Sequence, residues 1–303
     1  MNYRMVIHTV GQVVLLEAAM LVLPLFVSLY YGESCAAAYL QTITISAAAG
    51  AFMTFAVRPK NHNIFASEGF SIVSISWLAL SAIGALPFTL SGDIPSYTDA
   101  FFETASGFTT TGASILNDIE FLPRGLLFWR SATAWIGGIG VVMFALVILP
   151  SMGKSRHMLS TVEMSTIAKD NFHYRSKVIL RLLVTIYAGL TLITTVALKY
   201  AGMTWFDAAT HAMSSCGTCG FSTKNLSVAF WDSPVIEGIM MAAMTISAIH
   251  YGVLYATITG RKNNIFRSEV VRTFIGMMVF ISFAIAISLL ATDIYPTFGT
   301  ALR

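Results

Sequence analysis

Charged side chains are scarce in this sequence of 303 residues: they make up 11% of it, whereas hydrophobic residues make up 56%. An ordinary soluble domain carries roughly a quarter charged residues. A chain so poor in charge cannot cover its surface with polar groups, so much of that surface must face lipid. The scarcity excludes an ordinary soluble domain. It predicts an all-α protein with several transmembrane helices, because lipid offers no partner for a free backbone N–H or C=O.

Cysteines are also few, and the three present, Cys35, Cys216 and Cys219, are too few and too unevenly spaced for a disulfide framework. Cys216 and Cys219 have the spacing of a redox or metal pair, but no second pair accompanies them. The net charge is only +3, in short basic clusters between apolar runs, so no nucleic acid partner is expected. No Ser/His/Asp set, metal-ligand cluster or phosphate-cradling loop stands out, so neither an enzyme nor a bound cofactor is expected.

Long apolar runs, by contrast, are abundant. About 20 apolar residues in a helix cross a hydrocarbon core about 30 Å thick. Seven runs of that kind are predicted to span the membrane: residues 6–31, 36–57, 67–90, 125–150, 177–201, 233–259 and 270–291. The first run resembles a signal peptide, but it is longer than a typical apolar signal segment, so a retained helix is the expectation.

Basic and acidic residues alternate between the connections. The basic ones follow the second, fourth and sixth runs: Arg58, Lys60, Lys154, Arg156, Lys169, Arg175, Lys177, Arg261, Lys262 and Arg267. The other connections carry mostly acids: Glu33, Asp93, Asp99, Glu103, Asp118, Glu120, Asp207 and Asp232. Because positive loops stay in the cytoplasm, this pattern predicts a multi-pass protein of the cytoplasmic (inner) membrane with its N-terminus inside. The acidic loops would then face outward and attract cations.

Two outward connections, residues 91–124 and 202–233, are too long and too apolar to be plain loops. Each has an amphipathic or apolar segment followed by a tract rich in Gly, Thr and Ser. Such a pattern favours a half-helix, predicted at 99–108 and 207–216, with an extended return that lines a water-filled cavity.

The two connections are copies of one another. At one constant offset, Asp99 aligns with Asp207, Ala100 with Ala208, Ser106 with Ser214, Thr110 with Thr218, Gly112 with Gly220 and Ser114 with Ser222. The flanking spans repeat as well, so the repeating unit is helix, pore loop, helix. A single tract of this kind could be an ordinary polar loop. Two tracts that match in sequence and setting favour a repeated pore loop instead.

Residue types in these tracts suit the selection of a dehydrated cation. Such an ion needs several carbonyl or hydroxyl oxygens in place of its hydration shell. Thr can add a hydroxyl, and Gly permits dihedral angles forbidden to other residues. Thr110, Thr111 and Gly112 combine these features, and the half-helix before them would point its negative C-terminal end at the ion.

The stretch FFETASGFTTTGASIL within residues 97–116, followed by Trp129, Arg130 and AWIGGIGVVMFALVILP, resembles the first pore unit of TrkH-type potassium transporters, of the Trk/Ktr/HKT superfamily. The stretch HAMSSCGTCGFSTKNLS from His211 to Ser227 resembles the second. The likeness extends over the whole chain. It implies four such units around one pore, with potassium as the transported ligand rather than a cofactor.

Carried over residue by residue, the resemblance assigns the first ion-binding filter strand to Thr110, Thr111 and Gly112 and the second to Thr218, Cys219 and Gly220. A serine replaces the first filter glycine in sodium-selective members, so Gly112 favours potassium. Cys219 departs from the small or apolar residue usual in the family, which leaves the selectivity open. The alternatives are a sodium-permeant relative and a non-conducting assembly subunit.

The repeat also predicts how the chain is organised. A pair of transmembrane helices (1–60) precedes the first unit (61–153), a cytoplasmic connection (154–176), the second unit (177–262) and the start of a third unit (263–303) without its filter. Because four strands are needed to surround an ion, either the sequence is part of a longer chain or another polypeptide completes the pore. The resemblance further implies a homodimer and a cytosolic nucleotide-binding regulatory subunit. The basic connection is its natural docking surface, although a lipid-facing loop explains the basic residues as well.

Several polar residues fall in or near apolar segments. Arg130 lies where an unpaired charge is expensive, so it is predicted to pair with an acid such as Glu103 beside the pore. Glu17 is expected to have a packing role in the first span. His211, which replaces Glu103 in the repeat, is expected to be a buried hydrogen-bonded residue, and His250 is expected to pack within the sixth span.

Overall fold

The computed structural model describes residues 2–59, 66–148, 176–260, 264–292 and 297. Regular structure in these ranges is helical, which confirms the all-α prediction. Twelve α-helices are described: α1 (Tyr3–Met20), α2 (Val22–Tyr31), α3 (Ala36–Ala56), α4 (Ala66–Gly84), α5 (Leu86–Ser91), α6 (Tyr97–Phe108), α7 (Arg124–Ile148), α8 (Ser176–Tyr200), α9 (Trp205–Cys216), α10 (Pro234–Ser247), α11 (Tyr251–Ile258) and α12 (Glu269–Ala291). A short 3-10 helix covers Ser227–Trp231.

Five helical stretches among the described residues are long and apolar enough to cross a membrane: Tyr3–Tyr31, Ala36–Ala56, Ser67–Ser91, Arg181–Tyr200 and Glu269–Ala291. The number is six if α10 and α11 count as one broken span. Helix α7, which contains Arg124 and Arg130, is not among them, but its 25 residues extend over about 37 Å at 1.5 Å per residue. The chain is therefore a multi-pass membrane protein, as predicted.

Two predicted spans bend at a proline. Pro24 has no N–H to donate to the carbonyl of Met20, and α1 gives way to α2 at Leu21. Pro87 likewise lacks the N–H that would bond to Ile83, and α4 gives way to α5 at Ala85. Each pair still forms one span by length and composition.

The predicted sixth span, 233–259, is wrong as a continuous helix, and so is the placement of His250 within it. Helix α10 ends at Ser247 and α11 begins at Tyr251. His250 has an extended ψ of 124°, and its Nδ1 accepts the backbone N–H of Gly252 at 3.1 Å. His250 is therefore the N-cap of α11, which is a helix boundary.

The predicted half-helices are present as α6 and α9, each starting two residues earlier than expected. Their N-caps repeat as well: Ser96 Oγ accepts the N–H of Asp99, and Thr204 Oγ1 accepts the N–H of Asp207. A hydroxyl N-cap followed three residues later by an acid satisfies free N–H groups of the first turn. The repeated aspartates thus begin the pore helices.

The described residues up to Ser247 form one compact unit, and those from Ala248 form a second. The first unit has a core of apolar side chains around Phe108 and Trp129, both fully buried. Trp129 Nε1 donates to the carbonyl of Gly84 at 2.9 Å, which ties α7 to α4 beside the first pore helix. In the second unit, α12 is mostly exposed and apolar, as expected for a helix that faces lipid.

Residues 149–175, most of the predicted cytoplasmic connection at 154–176, lie outside the described residues, and so does the segment after Thr292 except Thr297. The domain boundaries placed there stay predictions.

Candidate functional site

The two predicted filter tracts leave their pore helices through the same backbone turn. Thr110 N–H donates to Gly107 O at 2.9 Å and Thr111 N–H to Ser106 O at 2.8 Å. The aligned positions repeat this: Thr218 N–H donates to Ser215 O and Cys219 N–H to Ser214 O, both at 3.1 Å. Residues that align in the two repeats therefore make equivalent backbone hydrogen bonds at the ends of α6 and α9.

Backbone dihedral angles match as well. Thr110 and Thr218 both have a φ of 55°, which is uncommon for a residue branched at Cβ. Gly112 and Gly220 have φ values of 75° and 104°. Strained residues at equivalent positions persist only where the surrounding structure holds them, and they concentrate at functional sites.

Gly112 lies directly against the second tract. A Cβ placed on Gly112 would overlap the carbonyl oxygen of Cys219 and would lie 3.8 Å from its Sγ. A Cβ on Gly220 would meet no atom within 4 Å among the described residues. The two tracts are thus neighbours in space, and a Cβ would meet the other tract at Gly112 but not at Gly220.

Both tracts border open space, although the helices before them are buried. Thr109, Thr111, Thr218 and Gly220 are exposed, and Cys219 is partly exposed. The Thr109 hydroxyl is already bound to Ala105 O at 2.7 Å and to the Thr111 hydroxyl at 2.8 Å. Cys216 and Cys219 are free thiols, so they do not form a disulfide.

Helix α7 passes between the ends of the two pore helices. A Cβ on Gly137 would overlap the carbonyl oxygen of Phe108, at the end of α6. A Cβ on Gly138 would lie 2.8 Å from Cα of Gly217, just after α9. The adjacent glycines therefore allow close packing against both pore units, which agrees with the packing role of such pairs in membrane helices.

The predicted ion pair between Arg130 and Glu103 is present and buried, with the two side chains 2% and 0% exposed. Glu103 also accepts the Ser114 hydroxyl at 3.0 Å and the N–H of Ile115 at 3.2 Å. On its other side, the Arg130 guanidinium donates to Ser222 O at 3.0 Å and lies 3.9 Å from the Phe221 ring centroid. Arg130 thus contacts the second return strand directly and is linked to the first through Glu103.

His211 takes the place of Glu103 in the second unit. Its Nδ1 donates to the carbonyl of Asp207 at 2.8 Å, and its Nε2 lies 2.9 Å from the Ser222 hydroxyl. The pair of His211 with Ser222 therefore repeats the pair of Glu103 with Ser114. Since the carbonyl can only accept, Nδ1 carries a proton, and a neutral ring then accepts from Ser222 at Nε2. His211 is the buried, hydrogen-bonded residue that was expected.

Glu17 is buried in α1, 2% exposed, and neither of its carboxyl oxygens has a hydrogen-bond partner among the described residues. It lies beside Gly84, where a Cβ would come within 3.1 Å of Oε1. This burial between α1 and α4 fits the packing role that was expected.

Sequence reasoning missed two sets of contacts on the acidic side of the fold. Glu33 accepts the N–H groups of Arg124 at 2.7 Å and Gly125 at 2.9 Å, so it caps the start of α7. Asn225 donates to Asp118 Oδ1 at 2.8 Å and accepts the N–H of Ile119 at 2.6 Å, which links the return segments of the two pore loops. Lys224 also pairs with Glu120 at 3.1 Å across this link. No local sequence pattern indicates contacts between residues about a hundred positions apart.

A bundle of membrane helices with two half-helices, each followed by a Thr- and Gly-containing return strand, defines a pore-loop membrane protein. The family model for TrkH, described as a cation transport protein, matches residues 36–295. The chain belongs to this family.

Similar proteins agree. The Trk system potassium uptake protein TrkH of Salmonella typhimurium is 35% identical over 307 residues, an alignment covering 100% of this chain and 63% of that protein. Its namesake in Escherichia coli K12 is 36% identical, with 91% of this chain and 58% of that protein covered. The crystal structure of the potassium transporter TrkH from Vibrio parahaemolyticus matches with a TM-score of 0.87 at 30% identity, covering 100% of this chain and 62% of that one. The chain thus spans about three fifths of the length of these relatives.

Proposed function

We propose that this chain supplies two strands of a potassium-selective filter, and that it takes part in potassium uptake across the cytoplasmic membrane within a Trk-type system. The observation that carries the proposal is the contact of two tracts with matched hydrogen bonds and matched φ values. The names of the relatives, Trk system potassium uptake proteins, support the ion.

Six residues form the proposed ion-binding strands: Thr110, Thr111, Gly112, Thr218, Cys219 and Gly220. Their oxygens replace water around the ion strongly enough to admit it and weakly enough to release it. The C-terminal ends of α6 and α9 place partial negative charge beside the same path. Transport of this kind requires no covalent chemistry, so we propose no enzymatic activity.

A complete filter requires the contact between neighbouring tracts to be repeated around the pore. Gly112 of the first unit faces the Cys219 carbonyl of the second, and Gly220 has the equivalent side open among the described residues. We expect a third tract to contact Gly220 as Cys219 contacts Gly112, and a fourth to close the ring.

We also propose a membrane orientation and two partners for this chain. The alternation of basic and acidic connections supports a location in a bacterial inner membrane, with the N-terminus on the cytoplasmic side. A cytosolic nucleotide-binding subunit would dock on the basic connection at 154–176, and the membrane part would be a homodimer. Co-purification with such a subunit, lost when Lys154, Arg156, Lys169 and Arg175 are changed to Gln, tests the docking.

The test of selectivity is Gly112→Ser, in a form that carries all four pore loops. A side chain at a φ of 75° is strained and overlaps the Cys219 carbonyl, so the neighbouring oxygens must move. We expect sodium to become permeant and the preference for potassium to fall at least tenfold. Uptake of ⁸⁶Rb⁺ and ²²Na⁺ into proteoliposomes measures both.

Gly92→Ser is the matched control, because Gly92 also has a positive φ, 86°, but a Cβ there meets nothing within 4 Å. It should leave the ratio of rubidium to sodium flux unchanged. An unaltered ratio in Gly112→Ser, in protein that still conducts, would contradict the filter assignment. If no form with four pore loops conducts any ion, the non-conducting assembly subunit is the better account.

A further inference from the structure

An apolar groove of about 740 Å³ lies within the first compact unit, and none of the residues that line it belongs to a filter tract. Its walls come from three helices: Phe26, Tyr30 and Tyr31 of α2, Phe128 of α7, and Trp205 and Phe206 of the second pore helix, α9. Several of these side chains are largely exposed, Phe26 at 62%, Tyr30 at 83% and Trp205 at 60%. An exposed aromatic cleft of this size is a candidate binding site for an apolar chain.

The groove lies at one end of the membrane bundle. Tyr30 and Tyr31 are the last residues of the first span, and Trp205 begins a pore helix a few residues after α8 ends at Tyr200. Tyr and Trp concentrate where the hydrocarbon meets the headgroups. The groove therefore opens at the level where acyl chains meet lipid phosphates.

A cation borders this groove. The Arg124 guanidinium lies 4.3 Å from the centroid of the Tyr31 ring and 5.9 Å from that of Phe206. Its side chain is exposed, and among the described residues no carboxylate lies within ion-pair distance of it. Glu33, the nearby acid, binds the backbone N–H of Arg124. A second cation, Lys199, lies 5.8 Å from the Trp205 ring.

We propose that this groove binds an anionic phospholipid, with an acyl chain along the aromatic walls and the phosphate on Arg124. A planar guanidinium held over an aromatic ring presents its N–H fork to phosphate oxygens, and Arg suits phosphate in a bidentate way. The apolar walls and the cation beside them match the two parts of such a lipid. This site is separate from ion conduction and does not depend on the filter assignment.

Native mass spectrometry of the purified full chain in detergent tests the site, with 1-palmitoyl-2-oleoyl phosphatidylglycerol and the phosphatidylcholine of the same chains as probes. Arg124→Gln should weaken phosphatidylglycerol binding about five- to tenfold. It should weaken phosphatidylcholine binding less, because the choline group of that lipid already neutralises the charge of the phosphate that Arg124 contacts. Ala209→Trp, which fills the groove, should remove the tight site for both lipids.

Arg181→Gln is the matched control. Arg181 is also an exposed arginine, but it lies near the start of α8, whereas Lys199, which borders the groove, lies at the end of that helix. Equal losses in Arg124→Gln and Arg181→Gln would overturn the proposal in favour of diffuse attraction between basic residues and lipid. Lipid binding unaltered by Ala209→Trp would overturn it too. A change of oligomeric state in that variant, with lipid binding kept, would mean that a second copy of the chain fills the groove.

Discussion

Arg130 connects the two pore units through its buried side chain. Its guanidinium binds Glu103 of the first pore helix and the Ser222 carbonyl after the second tract. Removing one member of a buried pair leaves the other charge without compensation, and that loss exceeds what the intact pair contributes. Arg130 is therefore best understood as holding the return strands in register, with no contact to the ion required.

The charge pair leads to a prediction about stability. Glu103→Ala should lower the free energy of unfolding by about 3–5 kcal/mol, because the Arg130 charge is then buried alone. Glu103→Ala combined with Arg130→Met should recover much of the loss, since no unpaired charge remains. Thermal unfolding in detergent, followed by tryptophan fluorescence, measures both. A double variant as unstable as the sum of the two single variants would contradict this account.

Some of these contacts could be predicted from the sequence and others could not. Glu103 and Arg130 are both polar residues in apolar surroundings, so their pairing followed from the cost of a lone charge. Glu33 and Asn225 are ordinary polar residues in exposed connections, and nothing in their neighbourhood distinguishes them. Their roles depend on the packing of distant segments, which a single sequence does not display.

Helix α7 packs closely against the ends of both pore helices. Gly137 and Gly138 face the ends of α6 and α9, where any side chain would overlap backbone atoms that cannot move aside. Gly189 of α8 has no atom within 4 Å of the corresponding position. The same substitution therefore has opposite consequences on the two helices.

We predict that Gly137→Ala lowers the free energy of unfolding by about 1–3 kcal/mol or more, through overpacking. Gly189→Ala should be neutral or stabilising by up to about 1 kcal/mol, because alanine is the better helix former. Melting temperatures of the two purified variants, compared with the unchanged protein, decide the matter. Equal shifts for both would show that α7 does not pack closely on the pore helices.

Helix positions were predictable from apolar length, whereas helix breaks were mostly not. The spans at Ala36–Ala56 and Glu269–Ala291 match their predicted limits within a residue or two. The break at His250 escaped prediction because the residues around it are as apolar as a helix interior. It becomes evident only from the extended backbone of His250 and its bond to Gly252.

On the scale of the whole molecule, the distribution of charge predicts which residues face each side of the membrane. Arg58, after α3, and Asn117, in the return of the first pore loop, are both exposed. With an N-terminus in the cytoplasm, Asn117 faces outward and Arg58 inward.

In a background with Cys35, Cys216 and Cys219 replaced by serine, a membrane-impermeant maleimide should label Asn117→Cys in intact cells. It should label Arg58→Cys only after the membrane is permeabilised. Labelling is read from the mobility of the protein on a gel, and the unlabelled background serves as control. The reverse pattern would invert the orientation and would place the acidic connections in the cytoplasm.

The proposed filter requires the two neighbouring tracts to share one ion. Anomalous diffraction from crystals of a form with all four pore loops, soaked in Tl⁺ as a substitute for potassium, tests this directly. The predicted result is a peak within coordinating distance of backbone oxygens from both Thr110–Gly112 and Thr218–Gly220. Well-ordered tracts with no thallium between them, or thallium bound only elsewhere, would contradict it.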